Sequence, residues 1–278
     1  GGARRGMLHQ LDEQRRAAID VTKSQRTVTH HAAIPTAIES AWLEAMTYPR
    51  GPVWGEVPQD VLLAKTAIPP IRTANASPTP EGPRPELVWA AVQLLASAKR
   101  PAIVSGGGVR RAGAEKALLT LAEKLDAPVV CSPGGNSGFP VEHPLSMGSW
   151  VEDRAVTDLL ADADVLLAVG TSLGEVTSNY FTLEPSGKLI HVDAEPRVLE
   201  SNHPALGIAC DAKAALEAFV SAYPSQPTEG RESGAERAAE ARKAIVERLD
   251  GQDLAHERAF MDAIRAGIPD NVPTFWDM

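Results

Sequence analysis

The sequence has only two cysteines in 278 residues, Cys131 and Cys210. That is too few for a disulfide framework, and no Cys-x-x-Cys motif is present. Both sit at the ends of apolar, strand-like runs, as buried, unpaired thiols of a cytoplasmic protein do. No apolar run approaches the ~18 residues that a membrane span needs. Positive charge is also scarce: 27 Lys and Arg against 36 Asp and Glu give a net charge of −9 and a pI of about 5.3. Nucleic acid is therefore not an expected partner, because neutralising phosphates takes clustered Lys and Arg. The seven histidines show no metal-ligand spacing; His30 and His31 are adjacent and cannot share a helix face. Neither a catalytic triad nor an acid–base pair is visible. The remaining composition is that of an α/β protein, 44% hydrophobic and 23% charged, with a mean hydropathy of −0.14.

The stretch 100–135 carries the pattern that organises the rest. Pro101–Ser105 is a short apolar run ending in Gly106, Gly107 and Gly108. From Ala114 the apolar residues Ala117, Leu118, Leu121, Ala122 and Leu125 fall at helical spacing, and Ala127–Cys131 is a second short run. Two apolar strands joined by an amphipathic helix form a βαβ unit, which requires a parallel sheet covered on both faces. Such sheets place ligands at the carboxyl ends of their strands.

Along the chain, residues 1–33 are polar and give no assignment. The pattern predicts a helix over Ile34–Met46 with Pro35 in its first turn, and a strand over Val53–Val57. Residues 66–84 are rich in Pro, Ala, Ser and Thr and read as a linker. A helix over Pro85–Lys99 precedes the βαβ unit, and a glycine- and proline-punctuated loop spans Gly134–Gly148. Further helices are predicted over Asp153–Ala163 and Ala212–Tyr223, with strands at Val165–Val169, Lys188–Asp193 and Gly207–Cys210. Residues 85–223 thus read as one doubly wound, Rossmann-like α/β domain. In 224–267, two charged helices (Ala235–Leu249 and Leu254–Ala266) read as a solvated linker, with Arg237, Glu240, Lys243, Glu247 and Arg248 at i,i+3 and i,i+4 spacing.

The triple glycine does not complete a dinucleotide fingerprint. Gly108 is followed by Val109-Arg110-Arg111, and the second strand ends in Cys131-Ser132 without an acidic residue for a ribose. Two readings of the turn stay open: a plain tight βα turn, or backbone N–H groups free to meet an anion. Gly170-Thr171-Ser172-Leu173-Gly174 ends another strand and Asp193 ends a third, so three strand ends converge on a nucleotide-sized cleft.

The order of these pieces resembles the thiamine-diphosphate-dependent enzymes, and among them the acetolactate (acetohydroxyacid) synthases and 2-oxo acid decarboxylases. The matching segments are GPVWGEVPQDV (Gly51–Val61), RPAIVSGGG, APVVCSPGGNSGFPVEHPLSMG, ADVLLAVGTSLGE and KLIHVDAEP. The resemblance implies that 1–65 is the C-terminal part of a pyrimidine-binding domain and 85–223 a whole central domain. It makes 268–278 the opening strand of a pyrophosphate-binding domain. A chain opening on Gly1-Gly2 with no initiator Met, and closing on an apolar run at 272–278, is then expected to be a fragment. The activating Glu and the Gly-Asp-Gly motif for Mg²⁺ and diphosphate would lie outside it, leaving it inactive alone.

The implied parent decarboxylates a pyruvate-like 2-oxo acid and ligates the resulting enamine to an acceptor, as a homodimer or homotetramer. His9 and Gln10, in RGMLHQLDEQ, are similar to the family stretch that reaches toward the reacting centre; a surface loop is the competing reading. The central domain of the synthases binds FAD, with matching positions at Gly106, Gly107, Gly108, Gly170, Thr171, Ser172, Leu173 and Asp193. Thr171–Glu175 replaces the Arg-Phe-Asp-Asp run usual in those enzymes, so ADP or an empty cleft stands beside FAD. The alternatives are a stand-alone nucleotide-binding regulatory module and, against the failed fingerprint, an NAD-dependent enzyme.

Overall fold

The computed structural model describes residues 11, 13–67, 82–224, 229–269, 271, 272 and 274. Helices α1 (Gln14–Ala17), α2 (Ile34–Met46) and α3 (Gln59–Leu62) accompany strands β1 (Gln25–Thr27) and β2 (Trp54–Glu56) in the N-terminal part. The α/β unit that follows contains α4 (Pro85–Ser97), β3 (Pro101–Ser105), α5 (Gly107–Ala112), α6 (Glu115–Leu125) and β4 (Val129–Cys131). It continues through α7 (Arg154–Ala161), β5 (Val165–Val169), β6 (Lys188–Asp193), β7 (Leu206–Ala209) and α8 (Ala212–Ala222). Helices α9 (Gly234–Asp250) and α10 (Ala255–Gly267) end the described chain.

The five-stranded sheet runs β4-β3-β5-β6-β7, and every neighbouring pair is parallel. Alternating residues explain why both faces are covered. Ile103, Val165, Leu167, Val169, Ile190 and Val192 pack with α4, α6 and α8, while Ala102, Val104, Leu166, Ala168 and Leu189 face α7 and α9. On α6, Leu118, Leu121 and Leu125 share one face and are fully buried, each contributing roughly 1.5–3 kcal/mol. The chain leaves β3 toward β4, then crosses back to β5 on the other side of β3. The direction of winding therefore reverses between β3 and β5, and a crevice opens there at the carboxyl edge.

Three differences from the sequence pattern have physical causes. The glycine turn is itself the start of α5, whose C-terminus is stopped by left-handed Gly113 (φ 64°) before α6 begins. Sheet formation outside the α/β unit begins in the unassigned polar stretch: β1 pairs in parallel with β2, an association its polar sequence does not advertise. The third difference corrects the solvated-linker reading of α9. Ala238, Ala241 and Ile245 are buried against α7 and the sheet. Its arginines reach inward: Arg237 donates to the Pro101 and Leu159 carbonyls, and Arg242 to those of Pro144 and Ser146. The linker lies largely, and the final apolar run mostly, outside the described residues.

Just upstream, Arg231 gathers three helix ends. Its guanidinium donates to the carbonyls of Leu95 (2.8 Å), Ala98 (3.0 Å) and Leu125 (2.9 Å), and to the Tyr223 hydroxyl (2.9 Å). These groups lie at the C-terminal ends of α4, α6 and α8, where carbonyls lack helical partners and the helix dipole favours a cation.

Candidate functional site

The first and third strands of the α/β unit end in contact with one another. The Gly106 N–H donates to the Val169 carbonyl (2.9 Å), Gly108 N–H to the Gly170 carbonyl (2.9 Å), and Gly170 N–H to the Val192 carbonyl (2.8 Å). Gly170 adopts φ 61°, and a Cβ on it would come within 2.8 Å of Gly108 Cα. Left-handed backbone and a bare Cα are both required there. The Gly106 and Gly108 amides are thus taken up by the neighbouring strand end and are not free to meet an anion.

Above these glycines lies a cleft of about 250 Å³ lined by Gly108, Arg111, Gly170, Asp193, Asp211 and, from the N-terminal part, Arg50, with Tyr48, Pro49 and alanines between. Asp193 Oδ1 accepts from the Glu195 amide (2.8 Å), and Asp211 Oδ1 caps α8 through the Lys213 and Ala214 amides. Arg111 folds back over Gly107, whose absent Cβ would lie 2.9 Å from its Nη1.

Of the expected site residues, Gly108, Gly170 and Asp193 line this cleft. Thr171 is buried, its Oγ1 accepting from the Leu173 amide (3.2 Å), while the His191 ring donates to its carbonyl (2.7 Å). Leu173 turns its side chain into the core beneath α7, and Ser172 is exposed. His9 and Gln10 lie outside the described residues. Sequence reasoning missed Arg50, Arg111 and Asp211. The available signals were Arg50 before the Gly51-Pro52 turn, Arg111 one helical turn after Gly107, and Asp211 at a helix start.

Cys131 ends β4 beside Ser105, with which it is in register. Burial pushes the Cys131 thiol up, although the Gly138 and Phe139 amides donating to sulfur pull the other way. Burial, with Asp211 adjacent, pushes Cys210 up to about 12. Neither thiol is poised as a nucleophile.

A nucleoside diphosphate fits the cleft's donor set. Arg50 and Arg111 are outside every ion pair formed among the described residues, and Asp193 Oδ2 accepts no hydrogen bond there. Guanidinium forks suit phosphate oxygens, and a carboxylate at a strand end suits ribose hydroxyls. Thiamine diphosphate and Mg²⁺ find no such fit, since no group of three or more His, Cys, Asp or Glu among the described residues could hold a metal ion. No step through them is derived. No helix of the described residues is long and apolar enough to cross a membrane.

Residues 88–219 match the family described as "Thiamine pyrophosphate enzyme, central domain". A probable 2-ketoarginine decarboxylase of Pseudomonas aeruginosa is 31% identical over 275 residues, covering 98% of this chain and 48% of that protein. A probable acetolactate synthase large subunit of Methanocaldococcus jannaschii is 30% identical, covering 84% of this chain and 41% of that protein. Benzoylformate decarboxylase from Polynucleobacter necessarius superposes with a TM-score of 0.64 at 22% identity, over 76% of this chain and 40% of that one, a likeness of fold. The chain spans about half the length, or less, of the curated relatives it matches. It belongs to the thiamine-diphosphate-dependent enzymes, and its residues 88–219 are their central domain.

Proposed function

We propose that this chain is the middle portion of a thiamine-diphosphate- and Mg²⁺-dependent enzyme that decarboxylates a 2-oxo acid and ligates the remaining fragment to an acceptor. The enzyme acts as a homodimer or homotetramer in the cytoplasm. The observation that most supports this reading is the 31% identity with a probable 2-ketoarginine decarboxylase, because it extends over 98% of the chain and so includes the N-terminal part. Thiamine diphosphate, when bound, supplies the carbanion-stabilising chemistry that loss of CO₂ from a 2-oxo acid requires. The residues of this chain have a different part: the switch-point cleft holds a nucleoside diphosphate, either ADP or the ADP half of FAD. At about 250 Å³ the cleft is smaller than the ~300–1,000 Å³ typical of drug-sized ligands, which favours ADP over the whole flavin dinucleotide.

The test is a CO₂-release assay on the protein made from the full reading frame, with thiamine diphosphate, Mg²⁺ and either pyruvate or 2-ketoarginine. Cofactor-dependent release from either acid is expected, with none from residues 1–278 alone. Absence of turnover with every 2-oxo acid tried would overturn the catalytic reading. A non-catalytic nucleotide-binding module is the second reading, motivated by Arg50, Arg111 and Asp193 lining one cleft.

A further inference from the structure

β4 is the last named strand on its side of the sheet, and the chain returns to cover it. Residues 145–148 run beside β4 in parallel, bridged at Val129 and Ser146. The Val129 amide donates to the Leu145 carbonyl (2.8 Å), the Met147 amide to the Val129 carbonyl (2.9 Å), and the Cys131 amide to the Gly148 carbonyl (2.8 Å). Val129 thus directs both of its backbone groups to the residues flanking Ser146, and those of Ser146 itself point outward. Such an edge is a template for a strand of another chain, and 144–148 carries no charged residue of its own to deter one.

The edge is closed by other means. The Ser146 amide donates to the His143 carbonyl (2.8 Å) and the Leu145 amide to His143 Nδ1 (3.2 Å), both within the loop. The carbonyls of Pro144 and Ser146 are bonded from outside it, by a single nitrogen: Arg242 Nη1 donates to both, at 3.0 and 2.7 Å. Arg242 follows the buried Ala241 on α9 and lies beyond the residues 88–219 that match the family. Its neighbour Lys243 is exposed and pairs with Glu247 along the helix, away from the edge.

We propose that Arg242 closes this edge against a second copy of the chain, so that unseating α9 exposes a stretch on which two copies pair. The carbonyls that Arg242 bonds are acceptors an incoming strand needs. A two-fold axis lays the same stretch of two copies side by side in antiparallel register. Each Ser146 then exchanges its amide and carbonyl bonds with the other copy, the amide having left the His143 carbonyl.

Hydrogen exchange and sedimentation velocity on the chain, Arg242→Met and Lys243→Met test this. Both variants remove one positive charge from α9, but only Arg242→Met removes donors from the edge. In Arg242→Met the amides of 145–148 should exchange roughly 10-fold faster or more, while those of β5 stay slow. This variant should also associate at concentrations where the chain and Lys243→Met do not, with 145–148 regaining protection in the associated species. Arg242→Lys, whose ammonium can donate to both carbonyls, should behave as the parent. Circular dichroism confirms folding, and Arg242→Gln takes the place of Arg242→Met if the latter does not fold. Unchanged exchange at 145–148, or faster exchange without association, would overturn the proposal. So would equal association of Lys243→Met, or an associated species in which 145–148 stays unprotected.

Discussion

The amide of Gly108 donates to the carbonyl of Gly170 across 2.9 Å, joining the turn after β3 to the turn after β5 where the sheet reverses its winding. That contact closes the floor of the cleft, and it exists because neither residue carries a Cβ.

Substituting Gly170 by Ala introduces two penalties at once. A left-handed non-glycine residue costs about 1–3 kcal/mol, and forcing a Cβ toward Gly108 Cα adds about 1–3 kcal/mol of overpacking. Gly113→Ala is the control, since it is also left-handed but a Cβ there would meet nothing within 4 Å. Urea unfolding should show Gly170→Ala clearly less stable than Gly113→Ala; equal losses would mean that the Gly108–Gly170 contact is slack.

Arg231 should matter more than a half-buried charge normally does. Arg231→Met strands the carbonyls of Leu95, Ala98 and Leu125 and should cost about 2–4 kcal/mol. Arg231→Lys should recover little, because one ammonium cannot reach three helix ends. Thermal unfolding of both variants measures this directly.

The βαβ core was readable in the sequence because apolar residues at periods near two and near 3.6 are dictated locally. Val165–Val169 and the Leu118, Leu121, Leu125 face therefore stand where the pattern puts them. The arginines were not readable. Arg237 and Arg242 occupy a charged helix whose sequence reads the same whether it is solvated or seated, and their carbonyl partners arrive only through tertiary folding. Arg50 reaches the cleft from far upstream, and α5 begins with two poor helix formers. The strand-end turn directs the Leu173 side chain inward, which no spacing rule reveals.

The pair of Asp153 and Arg248 should outweigh its exposed counterpart. Asp153 has 3% of its side chain exposed, caps α7 through the Ala155 amide and binds Arg248 at 2.6 Å. Arg248→Met should cost about 1–3 kcal/mol, the partial exposure of Arg248 keeping it below a fully buried pair. Arg154 and Asp158, 83% and 59% exposed, should contribute less than about 0.5 kcal/mol. Double-mutant cycles on the two pairs would separate them.

Alkaline pH should destabilise the fold through Cys210. Its thiol is raised to about 12 when folded, against an ordinary value of 9.0. Above about pH 9 the unfolded chain therefore releases a proton that the folded chain keeps, so stability is full below that pH and declines toward pH 12. Cys210→Ala should flatten the decline in urea titrations across that window. Both thiols should resist alkylation at pH 8 until denaturant is added; rapid labelling of the native chain would contradict their burial.

The most direct test of the cleft is a crystal structure of the chain grown with ADP. The diphosphate should lie between Arg111 and Arg50 above Gly108 and Gly170, with a ribose hydroxyl on Asp193. ADP bound elsewhere, or a cleft without nucleotide at saturating ADP, would contradict the account.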